Sequence, residues 1–281
     1  MELAISMEND LNLKAILQYQ IDLGVDEAIT ANTFNRFKET KLQGQKKPER
    51  ILSPKPIQSK QRNNSLLREQ KSSSVDNIAN EAKLVAEKLV SEVQTLDDLK
   101  NSIEAFNGCD YRETATNLVF ADGNPKAKIM LIGEAPGQDE DKQGLPFVGR
   151  SGKLLDKIFS EAGLSRKSKD SSKAIYITNA VNWRPPGNKK PPPEVIDMFR
   201  PFIHKHIEMV NPKILVLSGN SSCNAIINQV GITGLRGKWI KGERYFIMPI
   251  VHPAFLLRDP KYKRDTWNDI LQIKQKLREL S

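Results

Sequence analysis

The sequence predicts an α/β fold with a short, mostly parallel, four-stranded sheet covered by helices on both faces. Two observations carry the prediction. From about Asn117 onward, four short apolar runs recur with stretches of helical periodicity between them, and that alternation builds parallel strands joined by crossover helices. The chain of 281 residues, 38% of them hydrophobic, also has the length and apolar content for one sizeable α/β core plus extensions.

Taken in order, residues 1–33 hold one amphipathic helix. Within "ENDLNLKAILQYQIDLGVDEAI", Leu13, Ile16, Leu17, Ile21 and Leu23 follow a roughly helical spacing, with Asp10 placed to cap it. It is too short to fold alone, so it either packs on the main domain or docks on a protein partner. Residues 34–74 read as a disordered basic linker. Between Arg36 and Lys71 stand eleven Lys/Arg against three Asp/Glu, nearly the whole of the +9 net charge, in a context of Gln, Ser and Pro that cannot repay the entropy of folding. Such a segment either tethers DNA weakly and salt-sensitively or only spaces the helix from the domain. Residues 75–105 form a helical lead-in: "VDNIANEAKLVAEKLVSEV", then "TLDDLKNSIEAF", in which Thr95 and Asp98 have capping spacing. The domain proper is 106–281. Its strands are expected over Lys128 to Gly133, Ile175 to Val181, Lys213 to Leu217 and Tyr245 to Val251, and its helices over "SGKLLDKIFSEAG", "PPEVIDMFRPFIHKHIEMV" and "SSCNAIINQVG".

Several function classes fit poorly. No charged leader precedes an apolar stretch and no run of eighteen apolar residues occurs, so neither secretion nor membrane spanning is expected. Cys109 and Cys223 stand far apart without metal-binding or disulfide-framework spacing, which fits a reducing cytoplasmic compartment. There is no GxSxG elbow, no GxGxxG, and no His/Cys/carboxylate cluster with metal spacing; His204 and His206 fall within an amphipathic helix. The stretch "GLPFVGRSGK" imitates a phosphate-binding loop, yet Gly144 comes eleven residues after the strand ends near Gly133. Its basic position is Arg150, and Asp139, Glu140 and Asp141 precede it, which would repel a triphosphate. The acidic trio reads as solvated rather than as a cation site.

In open α/β sheets ligands bind beyond the carboxyl ends of the strands. Those four ends read "GEAPGQDED", "TNAVNWRPPGN", "SGNSS" and "VHPAFLLRDP". They supply a carboxylate, an amide, small hydroxyls and an imidazole. Three of these stretches, "GEAPGQDEDKQGLPFVG", "ITNAVNWRPPGN" and "HPAFLL", resemble in matching order the motif regions of the family 4 uracil-DNA glycosylases, over roughly residues 106 to 275. The resemblance implies a three-layer α/β/α domain, monomeric, acting on uracil-containing DNA by flipping the base out and hydrolysing its glycosidic bond without a metal. It implies catalytic roles for Glu134, which would orient the attacking water, and His252, which would donate to the uracil O2 with help from the backbone of Ala135. Phe147 would stack on the flipped base and Asn179 would read its edge. Leu256 and Leu257 are candidates to wedge into the duplex, and Arg150, Arg258, Ser221 and Ser222 to contact phosphates.

The sequence departs from that family at one place. Its members carry four cysteines for a 4Fe–4S cluster, and the matching positions here are Phe106, Cys109, Trp183 and Phe199. One thiol cannot hold the cluster in the usual way. The expectation is therefore no cofactor, with the three aromatic residues packed as an apolar plug and Cys109 inert beside them. A catalytically weak or inactive glycosylase-like module that binds DNA or another protein is the alternative reading.

Overall fold

The computed structural model describes residues 79–280. The amphipathic helix expected in 1–33 and the basic linker expected in 34–74 lie outside the described residues. The lead-in is helical, with α1 over 79–91 and α2 over Leu96–Ala105. The start of α2 is fixed as its spacing predicts: Thr95 Oγ1 accepts the Asp98 N–H at 3.1 Å, and Asp98 Oδ2 accepts the Thr95 N–H at 2.8 Å. Both helices belong to the domain. Ala82 and Ala86 of α1 and Leu99 and Ile103 of α2 are buried in the same apolar cluster as Phe199 and Phe202.

Among the described residues, a short helix α3 (Tyr111–Thr114) precedes six strands and seven further α-helices: β1 (Ala121–Gly123), β2 (Ile129–Gly133), α4 (Gln138–Gln143), α5 (Arg150–Glu161), β3 (Ile175–Asn179), α6 (Pro193–Val210), β4 (Ile214–Ser218), α7 (Asn220–Ile227), α8 (Ile232–Leu235), β5 (Ile240–Lys241), β6 (Phe246–Ile250), α9 (Pro253–Arg258) and α10 (Lys263–Glu279). The sheet order is β1-β3-β2-β4-β6-β5. The four central strands are parallel and are the four the sequence predicts, to within two residues at each end. The expected four-stranded sheet is corrected to six. Antiparallel β1 and β5 add an edge on each side, and with three and two residues they are too short to show a period of two.

Every residue of β2, β3 and β4 is buried, because alternate side chains feed two cores. Met130, Ile132, Tyr176, Leu215 and Leu217 face α1, α2 and α6. Ile129, Leu131, Ile175, Ile177 and Val216 face Leu155 and Phe159 of α5 and Ile270, Ile273 and Leu277 of α10. The result is a three-layer α/β/α sandwich. No helix among the described residues is long and apolar enough to cross a membrane. Parallel strands place all four carboxyl ends on one edge, and hydrogen bonds beyond the strands lock that edge together: Ala180 N–H to Gly133 O at 3.0 Å, Val181 N–H to Glu134 O at 3.1 Å, and Gly219 N–H to Ile250 O at 3.0 Å.

Candidate active site

A pocket of about 180 Å³ opens on that edge, lined by Glu134, Ala135, Phe147, Asn179 and His252 together with Ser151, Pro185, Asn188, Lys189 and others. Gly133 is what lets it close. A side chain there would overlap both Asn179 Oδ1 and the Phe147 ring, so the last residue of β2 is the one that brings amide and aromatic ring together. Asn179, at the end of β3 and 2% exposed, lines the pocket with its side-chain amide oxygen close to Gly133. A buried amide lining a pocket favours a ligand whose donors and acceptors match its own and penalises one whose pattern does not.

His252 follows β6 and caps α9. Its Nδ1 accepts the Ala254 N–H at 3.2 Å, so in the neutral ring the proton sits on Nε2 as a donor. Burial, aided by the positive charge of Arg258, lowers its pKa to about 4, and the ring is neutral at physiological pH. It stacks on Phe147 with centroids 5.4 Å apart. Close approach of Gly219, whose φ is +96°, leaves space for His252 Cβ. Glu134 is partly exposed, and its Oε2 accepts the Ser221 hydroxyl at 2.6 Å.

The arrangement thus offers a neutral imidazole donor, an oriented carboxylate, a buried amide and an aromatic face around one small cavity. The model of the uracil DNA glycosylase superfamily matches residues 120–271. The chain belongs to that superfamily. It is 34% identical over 190 residues to a type-4 uracil-DNA glycosylase of Archaeoglobus fulgidus, an overlap covering 64% of this chain and 92% of the relative. It is 36% identical to one of Sulfurisphaera tokodaii, covering 65% and 85%, and 33% identical to one of Thermotoga maritima, covering 59% and 85%.

Against this superfamily frame, the five pocket residues singled out from the sequence lie together, while the candidate DNA contacts divide. Arg150 and Arg258 are exposed, and Leu257 is 38% exposed. Leu256 is fully buried, so a wedge role for it is corrected: on the six-residue α9 it packs inward while Leu257 points out. Ser221 and Ser222 are corrected likewise. Ser221 spends its hydroxyl on Glu134, and the buried Ser222 hydroxyl donates back to Gly219 O at 3.1 Å, a local bond common in the first turn of a helix. Of the acidic trio, Asp139 is exposed as expected, but the other two are not. Glu140 is 8% and Asp141 1% exposed. Asp141 Oδ1 accepts the N–H groups of Thr116 and Asn117 at 2.7 and 3.1 Å, and Arg184 pairs with it at 3.5 Å. Ser151, Asn188 and Lys189 were not foreseen from the sequence; nothing in their spacing separates them from ordinary loop residues.

The four positions matching the family's cluster cysteines do not fit a 4Fe–4S group. Cys109 is the one thiol among them, and burial, opposed by a backbone hydrogen bond from Tyr111, pushes its pKa up to about 11, the wrong direction for a thiolate ligand. Phe106, Trp183 and Phe199 are 1%, 5% and 0% exposed and share one apolar cluster with Cys109. Phe106 meets Phe199 edge-on at 5.7 Å and Phe202 at 5.2 Å. The rings in mutual contact are Phe106, Phe199 and Phe202, while Trp183 is buried in the same core with its Nε1 donor lacking a hydrogen-bond partner among the described residues.

Proposed function

We propose that this protein is a uracil-DNA glycosylase that takes a flipped uracil into the pocket and hydrolyses its N-glycosidic bond without metal or iron–sulfur cluster. The observation that carries the reading is the buried amide of Asn179 lining one pocket with Phe147 and His252. Its oxygen suits the uracil N3–H and its NH2 group the uracil O4; cytosine presents the reverse pattern and would leave the amide unpaired. Phe147 supplies the stacking face that an unstacked base needs.

In the reaction, water adds to C1′ as the bond from C1′ to N1 breaks, and the electron pair leaves with the uracil, whose charge spreads to O2. The Nε2–H of neutral His252 donates to O2 as that charge grows, with the backbone at Ala135 beside it. Glu134, held by Ser221, orients the water and offsets positive charge on the sugar. The water that has added to C1′ loses a proton to solvent by way of Glu134 and the uracil anion takes one up at N1, so the products are free uracil and an abasic site. Outside the pocket, Leu257 fills the gap left in the duplex and Arg150 and Arg258 meet backbone phosphates, as does Lys189 from the pocket lining.

The test uses an end-labelled oligonucleotide with one uracil, incubated with the full chain and then cleaved at abasic sites with alkali. Wild type yields cleaved product. His252→Ala lowers the single-turnover rate by about 10²- to 10³-fold, and Asn179→Ala lowers it and relaxes discrimination against cytosine. Absence of cleavage by the wild type in every buffer tried overturns the enzyme reading in favour of a glycosylase-like binding module.

A further inference from the structure

The residue that would stack on the base has an unusual backbone. Phe147 has φ +55°, a left-handed conformation uncommon for any side chain but glycine and unfavourable for a bulky one. The surroundings must therefore hold it, and the principal holder lies outside the pocket. Arg166 is nearly buried, its side chain 6% exposed. One guanidinium nitrogen donates to Pro146 O at 2.7 Å and the other terminal nitrogen to Phe147 O at 3.0 Å. These two carbonyls belong to the two peptide planes on either side of the Phe147 Cα. Fixing both planes fixes φ and ψ together, and with them the direction in which the ring leaves the backbone.

The guanidinium is itself aimed by two carboxylates, Asp156 of α5 at 2.9 Å and Asp122 of β1 at 3.0 Å. From the opposite side Glu140 Oε1 accepts the N–H groups of Val148 and Gly149 at 3.0 and 2.9 Å. The Phe147–Val148 peptide is thereby tied at its oxygen by a cation and at its nitrogen by an anion. Gly152 completes the clamp, since a side chain there would collide with the Phe147 carbonyl.

We infer that Arg166 is a positioning residue for uracil recognition, holding Phe147 by both flanking peptide groups so that its ring forms the stacking floor against His252. The inference rests on the uracil-excision reading. It requires arginine in particular: four acceptors are met by one planar fork, a geometry that the single ammonium of lysine cannot reproduce although it keeps the charge.

Single-turnover excision is measured for wild type, Arg166→Lys, Phe147→Ala and the double variant, and crystal structures are determined for wild type and Arg166→Lys. The expectation is a folded Arg166→Lys protein with Phe147 displaced from His252 and excision slowed by about ten- to a hundredfold, the scale set by small misplacements near a reacting centre. In the Phe147→Ala background Arg166→Lys adds no further loss, because Arg166 acts through the missing ring. Should Arg166→Lys not fold, Asp156→Asn, which loosens the guanidinium but leaves its carbonyl partners in place, takes its position with a smaller loss and the same non-additivity. Full additivity, or an unmoved Phe147 ring, overturns the inference. A wild type that excises no uracil overturns the functional reading instead, and the position of the Phe147 ring in Arg166→Lys still decides the role of Arg166.

Discussion

Glu134 and His252 are oriented through atoms that no substrate would touch. His252 spends Nδ1 on the Ala254 N–H, and this second bond is what leaves Nε2 as the donor. Glu134 spends one carboxylate oxygen on the Ser221 hydroxyl, leaving the other for water. Ser221 is 1% exposed, so removing its hydroxyl leaves Glu134 free to turn without supplying a substitute. Ser221→Ala is expected to slow single-turnover excision by about tenfold, in keeping with a charge-assisted hydrogen bond worth roughly 1.5–3 kcal/mol that is only partly expressed in the transition state. The affinity for free uracil should be unchanged, because Ser221 lies behind the carboxylate and not against the base. Competition by free uracil in the same assay checks this, and an equal loss of uracil affinity would place Ser221 in base binding.

At the scale of elements, the parallel strands and the residues at their ends were legible because apolar runs alternate with helical periodicity and because ligands gather at one edge of such a sheet. Glu134, Asn179 and His252 stand at such strand ends, whereas Phe147, fourteen residues beyond β2, was singled out only by the resemblance to family 4 uracil-DNA glycosylases. What was not legible depends on partners remote in sequence. Arg166 meets carbonyls 19 and 20 residues away, and Ser221 meets a carboxylate 87 residues away; no local pattern marks either. Leu256 was misread because the face of a six-residue helix that turns inward is set by its neighbours. Of the aromatic plug expected from the substitution pattern, Phe106 and Phe199 meet ring to ring, with Phe202 and not Trp183 as the third ring, and the energetics follow from that packing. Phe199 on α6 is fully buried between Phe106 and Phe202, so Phe199→Ala should cost about 3–5 kcal/mol in urea unfolding. Trp183→Phe should cost less than about 1 kcal/mol, since losing ring volume is offset by removal of a buried donor whose burial unpaired costs about 1–3 kcal/mol. A larger cost for Trp183→Phe would mean that the indole N–H is satisfied.

For the whole molecule, acid sensitivity is set by histidines that fold in their neutral form. His206 is 1% exposed, stacked on Phe120 at 4.6 Å, with Nε2 2.9 Å from the Tyr176 hydroxyl. Burial lowers its pKa to about 3, whereas an unfolded chain protonates histidine near 6.5. Below about pH 6.5 the unfolded state therefore binds a proton that the folded state refuses, and stability present above 6.5 is lost progressively down to about pH 3, at up to about 1.4 kcal/mol per pH unit. His252, with its pKa lowered to about 4 by burial and by Arg258, acts in the same direction. Asp141 acts in a lower window. Burial opposes its charge, but the N–H groups of Asn117 and Thr116 prevail and hold its pKa below the usual carboxylate range, so its contribution is lost only in stronger acid. His206→Gln keeps a hydrogen-bonding group near Tyr176 and removes the titration. Urea unfolding at pH 7.5, 6.0, 5.0 and 4.5 should show wild type more stable than His206→Gln at pH 7.5, with the gap closing by about 1.4 kcal/mol for each unit below 6.5. A gap that stays constant across that range would mean that His206 is already charged in the fold. Because His252 remains neutral until about pH 4, excision by the molecules still folded should persist to pH 5, and activity lost above that point should track unfolding rather than protonation of the site.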